Sequence, residues 1–361
     1  MRSTPCCLHT YRKGGSLTSS MGASRIGKGP RSIFPIFTLI FNKKPAKLTK
    51  MDRKGFLYYT APWLHFLFLA GLTLCCIFVF SALSIMAVPF LFDMSFTELM
   101  ESMGNISGEN IEVLKFMQVT QSVGMFVIPP LIYFRLAGLR GKDYLTSKKE
   151  RLPLFLLLAL ALGFVSAPMI ELSYQLNQLM DLPPFLDGLE AWMRESEDTM
   201  EELTKVLLTM NGWTDFAVNM LMIAVIPAIG EELMFRGALQ GIFSRWFGNV
   251  HWAIFITAIL FSFIHMQFFG FLPRFLLGLL FGYLFYWSGN IWVPIATHFL
   301  NNGMIVLLNF LFQQKISNFD PGQEQDFSGL QYLFSAVLTL ALLAGFYSLA
   351  RKNAEHKLNE Q

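Results

Sequence analysis

The chain has 361 residues, 53% of them hydrophobic and 15% charged, with a formal charge of +3. Soluble globular chains carry about 25% charged residues, so this composition points to lipid. Residues 1–50 hold ten of the 28 Lys/Arg and no acid. The rest has 18 basic against 25 acidic residues, net −7, which leaves no basic face for nucleic acid.

Segment 1–50 contains one apolar run, Ile33 to Phe41, too short to span a bilayer. It reads as a disordered basic leader: an acid-poor targeting segment, a polybasic tether to anionic lipid, or sequence upstream of a true start at Met51. An integral membrane domain is expected over residues 51–361. Cys6-Cys7 and Cys75-Cys76 have neither zinc-ribbon nor disulfide-framework spacing.

Eight hydrophobic segments follow, near residues 62–91, 114–137, 153–176, 213–239, 252–268, 271–288, 291–313 and 329–350. A helix needs roughly 20 residues to cross, and in lipid only helices or closed barrels satisfy their own backbone. Short alternating strands are missing from the pattern. The expected fold is therefore all-α, a polytopic bundle of about eight transmembrane helices.

The connections set its orientation. Lys43, Lys44, Lys47, Lys50, Arg53 and Lys54 precede the first span, Arg140, Lys142, Lys148, Lys149 and Arg151 follow the second, and Arg351, Lys352 and Lys357 follow the last. The connections at 92–113 and 177–212 are acidic. By the positive-inside rule both termini are cytoplasmic, and Trp246, Trp252, Trp287 and Trp292 fall at the expected cytoplasmic interface.

Polar groups interrupt the later spans: Glu231-Glu232 with Arg236, then His265, then His298 with Asn302. An ionised carboxylate in hydrocarbon needs a partner, a wet cavity or a chemical role. Glu232 and Arg236 have the i, i+4 spacing of an intrahelical ion pair, whereas Glu231 points roughly 100° away. Each histidine alone fits a packing role. Together they place an ionisable residue on each of three neighbouring spans. Helix rise sets Glu231 and His265 at similar depth and leaves His298 roughly 10 Å off. Pro227 and Gly230 are the expected site of a break that absorbs this mismatch.

Glu231-Glu232-x-x-x-Arg236, Phe261-x-x-x-His265 and His298-x-x-x-Asn302 resemble, in order, three motifs of the CPBP family. These are the type II CAAX prenyl endopeptidases and their bacterial relatives, also called Abi or bacteriocin-processing and immunity proteins. The resemblance covers about residues 214–308. It implies an eight-helix intramembrane endopeptidase in which Glu231 and His265 activate water, His298 and Asn302 steady the oxyanion, and Arg236 braces Glu232.

The residues suit that chemistry. Desolvation makes an ionised carboxylate a stronger base, and donors aimed at developing charge are usually the largest catalytic contribution. A zinc ion held by Glu231, His265 and His298 stays open as an alternative, although no HExxH pair exists and Glu231 cannot easily be both ligand and base. The expected partners are membrane lipid and a peptide or protein substrate, lipidated ones included. The expected location is a bacterial cytoplasmic (inner) membrane. Two rival readings remain: a proton-coupled transporter whose Glu231, His265 and His298 line a path, and a non-catalytic immunity protein that binds peptide.

Overall fold

The computed structural model describes residues 57, 60–104, 110–139, 145–146, 151–323, 325 and 327–359. The basic leader lies outside them. The described residues form a polytopic helical bundle: α1 (Pro62–Leu91), α2 (Phe96–Gly104), α3 (Ile111–Leu136), α4 (Leu152–Val165), α5 (Ala167–Gln178), α6 (Asp187–Leu207), α7 (Trp213–Phe247), α8 (Val250–Phe263), α9 (Phe271–Ser288), α10 (Trp292–Gln313) and α11 (Gly329–Asn359). Among the described residues there is no strand, only an isolated bridge between Thr146 and Asn290.

Six helices are long and apolar enough to span: α1, α3, α7, α9, α10 and α11. The stretch expected as the third span is a pair, α4 and α5, bent by 43°. Pro168 explains the bend, because its ring lacks an N–H and collides with the carbonyl four residues back. The stretch expected as the fifth span keeps only 14 helical residues, α8, about 21 Å long against a ~30 Å hydrocarbon core. The acidic connections also differ from the expected loops, since both contain helices. In α6 the acids Asp187 and Glu190 occupy the first turn and Lys205 the last, which suits the helix dipole. Arg194 pairs with Glu190 at 2.6 Å, one turn apart.

Burial identifies the centre. Half of the most apolar window of α7 is buried, against 11% for α1 and 17% for α11, so the last two face lipid. Phe78 (73% exposed) and Phe90 (88% exposed) on α1 have no other apolar partner than lipid. One apolar cluster joins α1, α3, α7 and α8 through Leu69, Tyr133, Ala228, Phe235 and Phe261. A second joins α4, α9, α10 and α11 through Phe155, Leu162, Phe281, Val293 and Phe346. The polar residues of α7 lie between them.

Close approach depends on small residues, as expected where lipid provides no hydrophobic drive between helices. A Cβ at Gly278 of α9 would stand 2.9 Å from the Ala258 Cβ and 3.0 Å from its Cα on α8. One turn on, a Cβ at Gly282 would meet the Ile254 Cγ2 at 2.7 Å. Gly278 and Gly282 thus form a GxxxG seam between α9 and α8.

Candidate active site

The expected break in α7 does not occur. The helix continues, but it widens to π geometry at Met220–Val225, returns to α over Ile226–Glu232, and widens again at Leu233–Leu239. Pro227 accounts for the first widening, since a π-turn removes the clash and the missing donor that Pro imposes on an α-turn. The same device precedes Pro129-Pro130 in α3, where Val123–Val127 is π. The two irregular helices pack closely here: a Cβ on Gly230 would lie 3.0 Å from both the Phe126 Cβ and the Val127 Cγ2.

Glu232 and Arg236 are both 0% exposed, and Arg236 Nη1 donates to Glu232 Oε1 at 2.8 Å. Arg236 Nη2 donates to the Gly278 carbonyl at 3.0 Å, and Gln240 Nε2 repeats this one turn on at the Gly282 carbonyl, 3.3 Å away. Helical carbonyls keep a second lone pair, so the glycine seam that lets α8 approach α9 also offers two acceptors to α7. The Arg236 guanidinium lies between the rings of Phe261 and Phe281, at 4.8 and 5.2 Å from their centroids.

Glu232 has a second partner. Its Oε1 accepts from His298 Nδ1 at 2.9 Å, and the His298 ring stacks on Phe281 at 5.0 Å. A carboxylate only accepts, so this bond places a proton on Nδ1. His298 Nε2 lies 3.3 Å from Asn302 Nδ2 and 3.9 Å from Glu231 Oε2. Asn302 Nδ2 also donates to the Ile223 carbonyl at 3.0 Å, which fixes the amide's orientation. The Ile223 carbonyl belongs to the first π segment of α7. Glu231 is 7% exposed, and its Oε2 has no hydrogen-bond partner among the described residues.

His265 is not on a helix. It lies in the 264–270 connection after α8, and its Nδ1 donates to the Phe261 carbonyl at 2.8 Å. Nε2 of a neutral His265 is therefore an open acceptor. Among the described residues no hydrogen bond or ion pair joins it to Glu231, His298 or Asn302. Its link to them is Phe261, onto which His265 and His298 both set their rings, at 5.3 and 6.0 Å. Ser196 of α6 donates to the Met266 carbonyl at 2.9 Å, and Glu197 accepts the Phe269 N–H at 3.0 Å. Asn177 of α5 donates to the Phe268 carbonyl at 3.2 Å. These contacts hold Met266 at φ +54°, a left-handed conformation unfavourable for a side chain of this size. Burial pushes the Glu197 carboxyl up, against the Phe269 N–H and Arg274, which pull it down.

The six motif residues thus divide in two. Glu231, Glu232, Arg236, His298 and Asn302 form one connected group, and His265 stands beside it on a clamped loop. Glu231, His265 and His298 do not converge as a zinc site requires: among the described residues no three His, Cys, Asp or Glu side chains are spaced to hold a metal ion. Sequence reading passes over Arg274 in the first turn of α9. The signal was present, since Arg274 is a charge inside the apolar run 271–288.

No curated protein and no solved structure matches the chain significantly. Residues 213–304, which contain all six motif residues, match the family model described as type II CAAX prenyl endopeptidase Rce1-like, in agreement with the resemblance that the three motifs carry.

Proposed function

We propose that the protein is an intramembrane endopeptidase that hydrolyses peptide bonds of membrane-associated substrates, lipidated ones included. The observation that carries this reading is the buried Glu231 carboxylate, whose Oε2 has no protein partner and stands 3.9 Å from a histidine whose other nitrogen is anchored. A carboxylate held in that state is a base awaiting a proton.

In the reaction, a water oxygen bonds to the substrate carbonyl carbon and the carbonyl π pair moves onto its oxygen. One water proton passes to Glu231, with the open Nε2 of His265 as the neighbouring acceptor. When the tetrahedral intermediate collapses, the C–N bond breaks and that proton is delivered to the leaving amine. His298 and Asn302 border the oxyanion, and Glu232 with Arg236 holds His298 in place. This route needs no metal.

The reading includes a domain of 51–361 with its catalytic core at 214–308, cytoplasmic termini, and a bacterial inner membrane. The test compares the termini of membrane proteins in cells expressing wild-type or Glu231→Gln protein. New termini that require Glu231 support hydrolysis. Identical termini, with purified Glu231→Gln cleaving as well as wild type, overturn it. Zinc-reversible loss of cleavage in chelator overturns the metal-free route.

A further inference from the structure

Resting on the hydrolase reading, we propose that Arg274 is a catalytic residue, the charged donor that meets the developing oxyanion. The argument begins with the donors already engaged. Asn302 Nδ2 carries two N–H groups, one directed at the Ile223 carbonyl and the other at His298 Nε2. His298 Nδ1–H is held by Glu232, and Nε2, which accepts from Asn302, has no proton to offer. His298 gains an Nε2–H only after it takes up a proton. The first bond-making step therefore needs a donor from elsewhere.

Two cations act electrostatically on Glu231, Arg236 and Arg274. Arg236 is 0% exposed, enclosed by two phenylalanine rings and directed at Glu232 and the Gly278 carbonyl. It has no path to a substrate. Arg274 differs. Its charge also acts on His265, so it faces both groups assigned to the water. Its hydrogen bonds among the described residues both go to Gln267, from Nη1 to the carbonyl at 3.3 Å and from Nη2 to Oε1 at 2.5 Å. A guanidinium has five N–H donors, so three remain for an incoming oxygen. Glu197, the other acid that acts on it, forms no direct ion pair with it among the described residues.

The backbone is shaped around this side chain. A Cβ at Gly270 would overlap the Arg274 guanidinium, so only glycine there leaves the group room in the 264–270 loop. The loop that presents His265 thus also presents a half-coordinated cation on the same side.

The test uses the purified full-length protein in detergent with a library of internally quenched peptides. The peptides carry a free, S-farnesylated or S-palmitoylated cysteine, and the one cleaved fastest by wild type is used for kinetics. Arg274→Gln is expected to lower kcat by about 10²–10³-fold with KM within threefold, as for loss of one oxyanion donor. Arg274→Lys and added guanidinium are expected to restore part of kcat. Gln267→Ala, which removes a loop contact and keeps the guanidinium, is expected to stay within about threefold. The proposal is overturned if Arg274→Gln keeps its kcat, if its loss lies in KM alone (recognition of a substrate anion), or if Gln267→Ala loses as much. A wild-type rate matched by Glu231→Gln overturns the hydrolase reading and this proposal with it. An inactive Glu231→Gln beside an active Arg274→Gln overturns this proposal alone. Melting curves for every variant separate lost chemistry from lost folding.

Discussion

The Glu232 carboxylate sets the tautomer of His298. One oxygen, Oε1, receives Arg236 Nη1 at 2.8 Å and His298 Nδ1 at 2.9 Å, so the brace of α7 is also the anchor of the imidazole on α10. An ion pair with no further contact would have held α7 alone. Here the same carboxylate decides which His298 nitrogen faces Glu231.

Stability and activity should separate at this pair. Glu232→Gln leaves Arg236 buried without a counter-charge, and breaking one partner of a buried pair costs about 3–5 kcal/mol. A large fall in melting temperature in detergent is expected. The double variant Glu232→Gln/Arg236→Met puts an apolar side chain between Phe261 and Phe281 and should regain most of that stability. It should stay inactive, because His298 has lost its carboxylate. A fully active double variant would show that the anchor is dispensable.

The glycine seam makes a second contrast. Gly278→Ala forces a Cβ to within 2.9 Å of Ala258, and overpacking of this kind costs about 1–3 kcal/mol. It also moves the carbonyl that Arg236 uses. Gly71→Ala in α1 meets nothing within 4 Å and should stabilise by about 0.5–1 kcal/mol through helix propensity. Thermal unfolding of the two variants should shift in opposite directions. Equal shifts would show that α8 and α9 do not need this close approach.

The contact between α6 and the His265 loop should depend on pH. Burial holds the Glu197 carboxyl above its ordinary 4.5, and Asp198 and Glu201 add to the effect, while the Phe269 N–H and Arg274 oppose it. A carboxyl raised by folding binds its proton more tightly in the folded state. Its contribution is complete below the ordinary value and is lost as pH rises through the folded value. Melting temperature should therefore decline across that window. Glu197→Gln keeps an acceptor for Phe269 and should flatten the decline, and unchanged slopes in the two proteins would refute this assignment.

Much of the fold is legible in the chain. The apolar stretches at 62–91, 271–288, 291–313 and 329–350 coincide with α1, α9, α10 and α11, because a bilayer demands long apolar helices and composition alone reports them. The early end of α8 is not legible. The apolar run continues to Phe271, and what ends the helix is a loop fastened by Ser196, Glu197 and Asn177 from distant segments. The π geometry of α7 has a local cause in Pro227, but a proline also permits a kink or a break. The choice among them depends on what packs against the helix.

The sequence by itself determined a membrane-spanning helical protein, and it singled out six polar residues in three motifs that apolar surroundings leave in need of partners. Tertiary structure decided the partners: that Glu232 serves Arg236 and His298 together, that Asn302 is turned toward Ile223, and that Arg274 faces the carboxylate and the imidazole. The reason is physical. Hydrophobic periodicity and composition are properties of a segment, whereas a hydrogen bond is fixed by distances of a few tenths of an ångström between residues 66 positions apart, such as Glu232 and His298.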